Sequence, residues 1–147
     1  MTTTAPKADA RALGLAHYAA RAALESVLGR HGATFQQQIT LRLAVVAEAP
    51  VERAELVAQV VGSLKAGAAE AEQVVEELIG KGLLTAEASR VLVTDAGREF
   101  YAAVSAESSK ISARVWGGIP EEDLAAAGRV LALVAERANA ELAAASA

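Results

Sequence analysis

Residues 52–94, ERAELVAQVVGSLKAGAAEAEQVVEELIGKGLLTAEASRVLVT, decide how the chain folds. Leu56, Val57, Val60 and Val61 recur at helical three-four spacing, which predicts a short helix over 52–61. Ala71, Val74, Val75 and Leu78 repeat the pattern and predict a second over 68–79, with Gly82 as its stop. Between them Gly62-Ser63-Leu64-Lys65-Ala66-Gly67 is a turn of small residues, and helix, short turn, helix is the shape of a helix-turn-helix. The period then changes. Leu83-Leu84-Thr85 and Val91-Leu92-Val93-Thr94 are β-prone, and Glu87-Ala88-Ser89-Arg90 joins them, so a small hairpin follows the second helix directly and reads as a wing.

Outward from this stretch the chain is helical. Over 10–30, Leu13, Ala16, Ala20, Leu24 and Val27/Leu28 form one stripe, loosened at its end by Gly29 and Gly32. Thr34 with Gln37 is a capping box; the helix it opens carries Ile39, Leu43 and Val46 as its stripe, with Pro50 as its terminator. Residues 95–115 return to helix with Phe100, Val104 and Ile111 on one side, until Trp116-Gly117-Gly118-Ile119-Pro120 breaks it. Pro120 followed by Glu121, Glu122 and Asp123 opens a last helix, because acids suit the positive helix end. Its seam is Leu124, Leu131, Val134 and Leu142. Trp116 reads as an interface or core anchor.

Composition supports packed helices. Of 147 residues 53% are hydrophobic, many of them alanine, and only 3% are aromatic; alanine favours helix and close helix contacts, whereas a sheet-rich domain wants more Val, Ile, Tyr and Thr. The absence of cysteine excludes disulfides and thiolate metal sites. Two histidines need carboxylates to complete a zinc site, and no metal or other cofactor is expected. No apolar run reaches the ~20 residues of a membrane span. Residues 1–9, polar and Thr-rich, read as a disordered lead-in without a secretory signal core, which points to the cytoplasm and away from membranes.

The order helix, helix, helix-turn-helix, hairpin, long helix, terminal helix resembles the MarR family of bacterial transcriptional regulators. The residues that carry the likeness are Glu55-Leu56-Val57, Glu77-Leu78-Ile79-Gly80-Lys81-Gly82-Leu83-Leu84, Leu92-Val93-Thr94-Asp95-Ala96-Gly97-Arg98 and Gly118-Ile119-Pro120-Glu121-Glu122-Asp123-Leu124. The fold class expected is therefore mainly α: a winged helix-turn-helix lobe over 34–98, dimerisation helices over 10–33 and 99–147, and one small β-hairpin wing, all within a single domain of residues 10–147. The resemblance implies a homodimer on a pseudo-palindromic double-stranded DNA operator, with recognition helices about one DNA turn apart and a small-molecule effector that controls binding. The alanine-rich terminal helices independently favour a dimer, since a lone helix buries only one stripe.

Charge departs from this pattern. Between Val51 and Asp95 the acids are Glu52, Glu55, Glu70, Glu72, Glu76, Glu77, Glu87 and Asp95, against Arg53, Lys65, Lys81 and Arg90, an excess equal to the whole net charge of −4. DNA affinity comes mainly from Lys and Arg on phosphates, yet the recognition helix holds neither between Lys65 and Lys81. The family's wing carries an Asp-Arg-Arg-like run where this chain has Ala86-Glu87-Ala88-Ser89-Arg90. The DNA-contact candidates are Arg53, Ser63, Lys65, Gln73, Lys81 and Arg90, with Glu70 and Glu72 as acceptors for cytosine amino groups.

MarR-like proteins often hold small anionic or aromatic effectors between the dimer helices and the DNA-binding lobe. The candidates are His17, Tyr18 and Arg21 from the first helix, Phe35, Gln38 and Arg42 from the second, and Tyr101 from the long helix. Arg beside His and Tyr suits a carboxylate, and Phe35 a flat ring. No catalytic motif is present: GxSxG, P-loop, HExxH and GxGxxG are all absent, so an enzyme is not expected. Two functions remain: a ligand-responsive dimeric DNA-binding regulator, or a winged-helix dimer with weakened or lost DNA binding that serves as a protein-interaction or ligand-binding module.

Overall fold

In a computed structural model residues 4–146 are described; the first three residues of the expected lead-in lie outside that range. The chain divides into two compact units, Met1–Ile111 and Ser112–Ala147. Element order in the first is α1 (Ala10–Arg30), α2 (Phe35–Val46), β1 (Val51–Glu52), α3 (Arg53–Leu64), α4 (Ala68–Gly80), β2 (Leu84–Glu87), β3 (Arg90–Val93) and most of α5 (Asp95–Trp116). The second holds the last turn of α5 and α6 (Glu121–Ala145).

Local chemistry sets the helix starts. The Asp9 carboxylate accepts from Ala12 N at 2.8 Å and caps α1. Thr34 and Gln37 form the capping box of α2, with Gln37 N to Thr34 Oγ1 at 3.1 Å and Thr34 N to Gln37 Oε1 at 3.2 Å, which satisfies two orphan donors. α2 stops at Val46, four residues before Pro50, because Glu48 turns left-handed (φ 56°). α3 runs on through Gly62, Ser63 and Leu64, so the turn to α4 is only Lys65 to Gly67, with Lys65 at φ 55°.

The wing is a two-residue hairpin at Ala88-Ser89, with Leu84 opposite Val93 and Glu87 opposite Arg90. β1 adds a third strand, in the order β1-β3-β2, with Val51 opposite Val91 and Glu52 opposite Arg90. The sequence reading misses β1, since two residues are too few to show a period. At the junction after the wing, Thr94 Oγ1 accepts from Gly97 N at 2.9 Å and donates to Gly82 O at 2.6 Å. A Cβ at Gly97 would run into the Leu83 carbonyl oxygen and Val93 Cγ1. The glycine is therefore required there by packing rather than by its dihedrals.

The main core joins Leu41 and Ala44 of α2, Leu56, Val57 and Val60 of α3, Ala71, Val75 and Leu78 of α4, and Leu84 and Val91 of the sheet. A smaller cluster packs Val27, Leu28 and Val104 with Leu24, Phe35, Phe100 and Ile111. The expected stripe of α2 is corrected here: the buried residues are Gln37, Gln38, Thr40, Leu41 and Ala44, while Val46 is 67% exposed and Ile39 and Leu43 are half-buried. Polar side chains enter this core because most are bonded. Gln37 donates to Glu77 Oε2 at 2.8 Å and accepts from Lys81 Nζ at 2.8 Å, and Thr40 Oγ1 donates to Gln36 O at 2.9 Å. A satisfied buried amide costs little, and an unpaired one costs roughly 1–3 kcal/mol. Of α1 only the last turn is buried; Leu13, Leu15 and Tyr18 are exposed. In the second unit α6 buries no residue, and Trp116, Ile119, Leu131, Val134 and Leu142 are exposed.

Candidate nucleic-acid interface and effector groove

Residues of α4, the expected recognition helix, divide by face. Ala71, Val74, Val75 and Leu78 are buried, and Glu70, Gln73 and Glu76 are exposed. The amphipathic period thus turns a polar row outward while the apolar row anchors α4 on α2 and α3. Three of the four bases around that row, Arg53, Lys81 and Arg90, are already engaged. Arg53, in the first turn of α3, donates through Nε and Nη2 to Glu72 Oε2 at 3.0 and 2.8 Å, and through Nη2 to Glu76 Oε1 at 2.5 Å. Glu76 and then Glu72 push the Arg53 guanidinium above its ordinary value. Arg90 Nε lies 3.2 Å from Glu52 Oε1, and bonds from Ser89 and Arg90 hold the Glu52 carboxyl below the usual carboxylate range. Lys81 Nζ donates to Gly32 O at 2.5 Å and to Gln37 Oε1 at 2.8 Å. Lys65 is exposed, at the left-handed end of α3, and makes no ion pair among the described residues. Gln73 donates to Glu77 Oε1 at 3.3 Å.

A second feature lies on the opposite side of α2. A groove of about 570 Å³ is lined by His17, Arg21, Phe35, Ile39, Arg42, Leu43, Val46, Ser63 and Leu64. Its α2 wall is the half-buried to exposed apolar row Ile39, Leu43 and Val46, and its rim is basic. Arg21 pairs with Glu25 at 2.9 Å while its guanidinium carbon lies 4.4 Å from the Phe35 ring centre, a cation–π arrangement. Arg42 is exposed and forms no ion pair among the described residues. An apolar slot of this volume with an unpaired guanidinium at its edge suits an organic anion with a flat or aliphatic body.

Solved structures share this fold over most of its length. The fold is that of the MarR family. A MarR family regulator from Streptomyces coelicolor matches with a TM-score of 0.72 at 16% identity, over 88% of this chain and 91% of that one. CouR from Rhodococcus jostii RHA1, solved bound to p-coumaroyl-CoA, matches with 0.71 at 20% identity, over 84% and 88%. Staphylococcus aureus MarR, solved in complex with salicylate and kanamycin, matches with 0.73 at 18% identity, over 89% and 90%. No protein-family model matches the sequence, and no curated protein matches it.

Within this MarR-like fold, four of the seven groove residues expected from sequence come together: His17, Arg21, Phe35 and Arg42. The other three lie elsewhere. Tyr18 is 69% exposed, its ring tilted against that of His17. Gln38 is buried, with Oε1 unpartnered. Tyr101 packs against the main core. Ser63, grouped by sequence with the DNA contacts, is exposed and also lines the groove. Ile39, Leu43, Val46 and Leu64 were missed because their apolar character reads equally well as core. The signal that separates them is Gln37 and Thr40, polar residues on the opposite face that an apolar α2 stripe leaves unexplained. No group of three or more His, Cys, Asp or Glu among the described residues is placed to hold a metal. None of the described helices is long and apolar enough to cross a membrane.

Proposed function

We propose that this chain is a dimeric, ligand-responsive regulator of transcription that meets duplex DNA with α4 and the wing and takes an amphipathic organic anion in the groove. The observation that carries this reading is the makeup of the groove wall. Ser63 and Leu64 belong to it, and the next residue, Lys65, begins the turn into the recognition helix. A ligand that prefers one arrangement of that turn shifts the population of α4 positions by as much as its differential affinity allows. The ligand-bound solved structures described above support an organic ligand of this kind. Exposed Leu131, Val134 and Leu142 on α6, and Leu13, Leu15 and Tyr18 on α1, support a second copy as partner, since apolar area of this extent favours burial. Trp116 serves that interface. The protein acts in the cytoplasm and catalyses no reaction.

The in-chain pairing of Arg53, Arg90 and Lys81 favours a second reading, a dimer of the same fold with weak DNA affinity whose groove is its working site. Fluorescence anisotropy separates the two. Duplex from upstream of the protein's own gene is compared with a scrambled duplex at low and physiological salt, with and without benzoate as a model aromatic carboxylate. Selective binding that survives physiological salt and is released by the carboxylate establishes the regulator. Equal weak binding to both duplexes, lost with salt, removes it in favour of the second reading.

A further inference from the structure

Arg53, at the start of α3 beside α4, is a candidate phosphate ligand, and it is occupied by α4 itself. Glu72 and Glu76 are one helical turn apart, so their carboxylates rise side by side from α4 and receive one guanidinium at three points, 2.5 to 3.0 Å long. The backbone is held as well: Arg53 N donates to Ser89 O of the wing at 2.9 Å. Arg53 keeps 27% of its side chain exposed, Glu72 45% and Glu76 63%, so solvent and polyanions reach the pair. Glu72 Oε2 and Glu76 Oε1 together occupy the Nε–Nη2 edge of the guanidinium, an edge that also donates to phosphate oxygens.

We infer that Glu72 and Glu76 are an intrachain phosphate mimic that holds Arg53 back from nucleic acid, so that a duplex binds through Arg53 only by displacing them. This rests on the reading of α4 as the DNA-facing helix. The clamp suppresses binding to arbitrary sequence, because a phosphate alone exchanges one set of acceptor oxygens for another. It yields where further contacts outside the clamp favour the exchange, which makes Glu72 and Glu76 specificity-determining residues that act by competition. The apparent affinity falls by the fraction of molecules in which Arg53 is free.

The test is a cycle of variants of the full chain. Glu72→Gln/Glu76→Gln keeps shape and acceptor oxygens and removes the charge; Glu70→Gln/Glu87→Gln removes the same charge from exposed positions that pair with no cation among the described residues. Arg53→Gln is added to each. Elution from heparin and anisotropy with a random-sequence duplex are measured against salt. The clamp predicts that Glu72→Gln/Glu76→Gln tightens binding by about tenfold and steepens the salt slope by about one unit, one phosphate contact. Adding Arg53→Gln abolishes that gain, and the Glu70→Gln/Glu87→Gln control gains distinctly less. A gain that persists without Arg53, or is matched by the control, is bulk charge and overturns the proposal. If the heparin gain depends on Arg53 while no duplex binds any variant, the clamp stands and the DNA-regulator reading falls. Glu76→Gln alone, at the more exposed position, repeats the measurement should the double variant lose its fold.

Discussion

The groove beside α2 and the surface around α4 both present arginines, and they treat them in opposite ways. In the groove Arg42 stands beside Ile39, Leu43 and Val46 with no acid paired to it among the described residues, and Arg21 lies against the Phe35 ring. Against α4, Arg53 is bound by Glu72 and Glu76, and in the wing sheet Arg90 is bound by Glu52. Counting bases therefore misjudges both regions. Availability decides what an arginine can do for a ligand: Arg42 is unpaired among the described residues, Arg21 shares itself between Glu25 and the Phe35 ring, and Arg53 is held by acids 19 and 23 positions away.

The largest effect is expected at the junction that holds the wing in place. Gly97→Ala drives a methyl group into the Leu83 carbonyl, and overpacking against backbone costs about 3 kcal/mol. Chemical denaturation should show that loss, and an unchanged midpoint would mean that α5 starts elsewhere. A sharper probe spares the fold. Arg42→Glu should weaken benzoate binding by about tenfold or more in calorimetry while leaving heparin elution of the α4 face nearly unchanged; equal effects on both would merge the two regions into one electrostatic field.

The smallest effect concerns a base–acid group outside both regions. Glu107 accepts from His31 and lies 3.0 Å from Arg30, and His31 first, then Arg30, holds its carboxyl below the ordinary 4.5. A lowered carboxyl stabilises the fold above its unfolded value, and the contribution disappears as pH falls through the lowered one. Glu107→Gln should therefore melt earlier than the parent near neutrality, with the gap closing well below pH 4.5. A gap that is constant with pH would assign the loss to packing.

Much of the architecture was legible because it is written locally. The bounds of α1, the capping box at Thr34, the apolar period of α4 and the β-prone runs of the wing all depend on neighbours within a few residues. What was not legible depends on distance along the chain. The inward face of α2 was misassigned because Gln37 is stabilised by Glu77 and Lys81, 40 and 44 residues away, and no window of sequence displays that bond. The candidate site divides the same way. His17 and Arg21 share a helix face and could be grouped by period, as could Phe35 and Arg42. Ser63 joined them, and Tyr101 did not, through tertiary packing alone. The acidity of α4 was visible, but its pairing with Arg53, 19 and 23 positions away, was not.

Arg53 also ties three elements at one point: its amide to the tip of the wing, its guanidinium to α4, its own place to the start of α3. In hydrogen exchange that single amide is a natural reporter. It exchanges once its bond to Ser89 O opens, so its protection reads how firmly the wing turn is held against the start of α3.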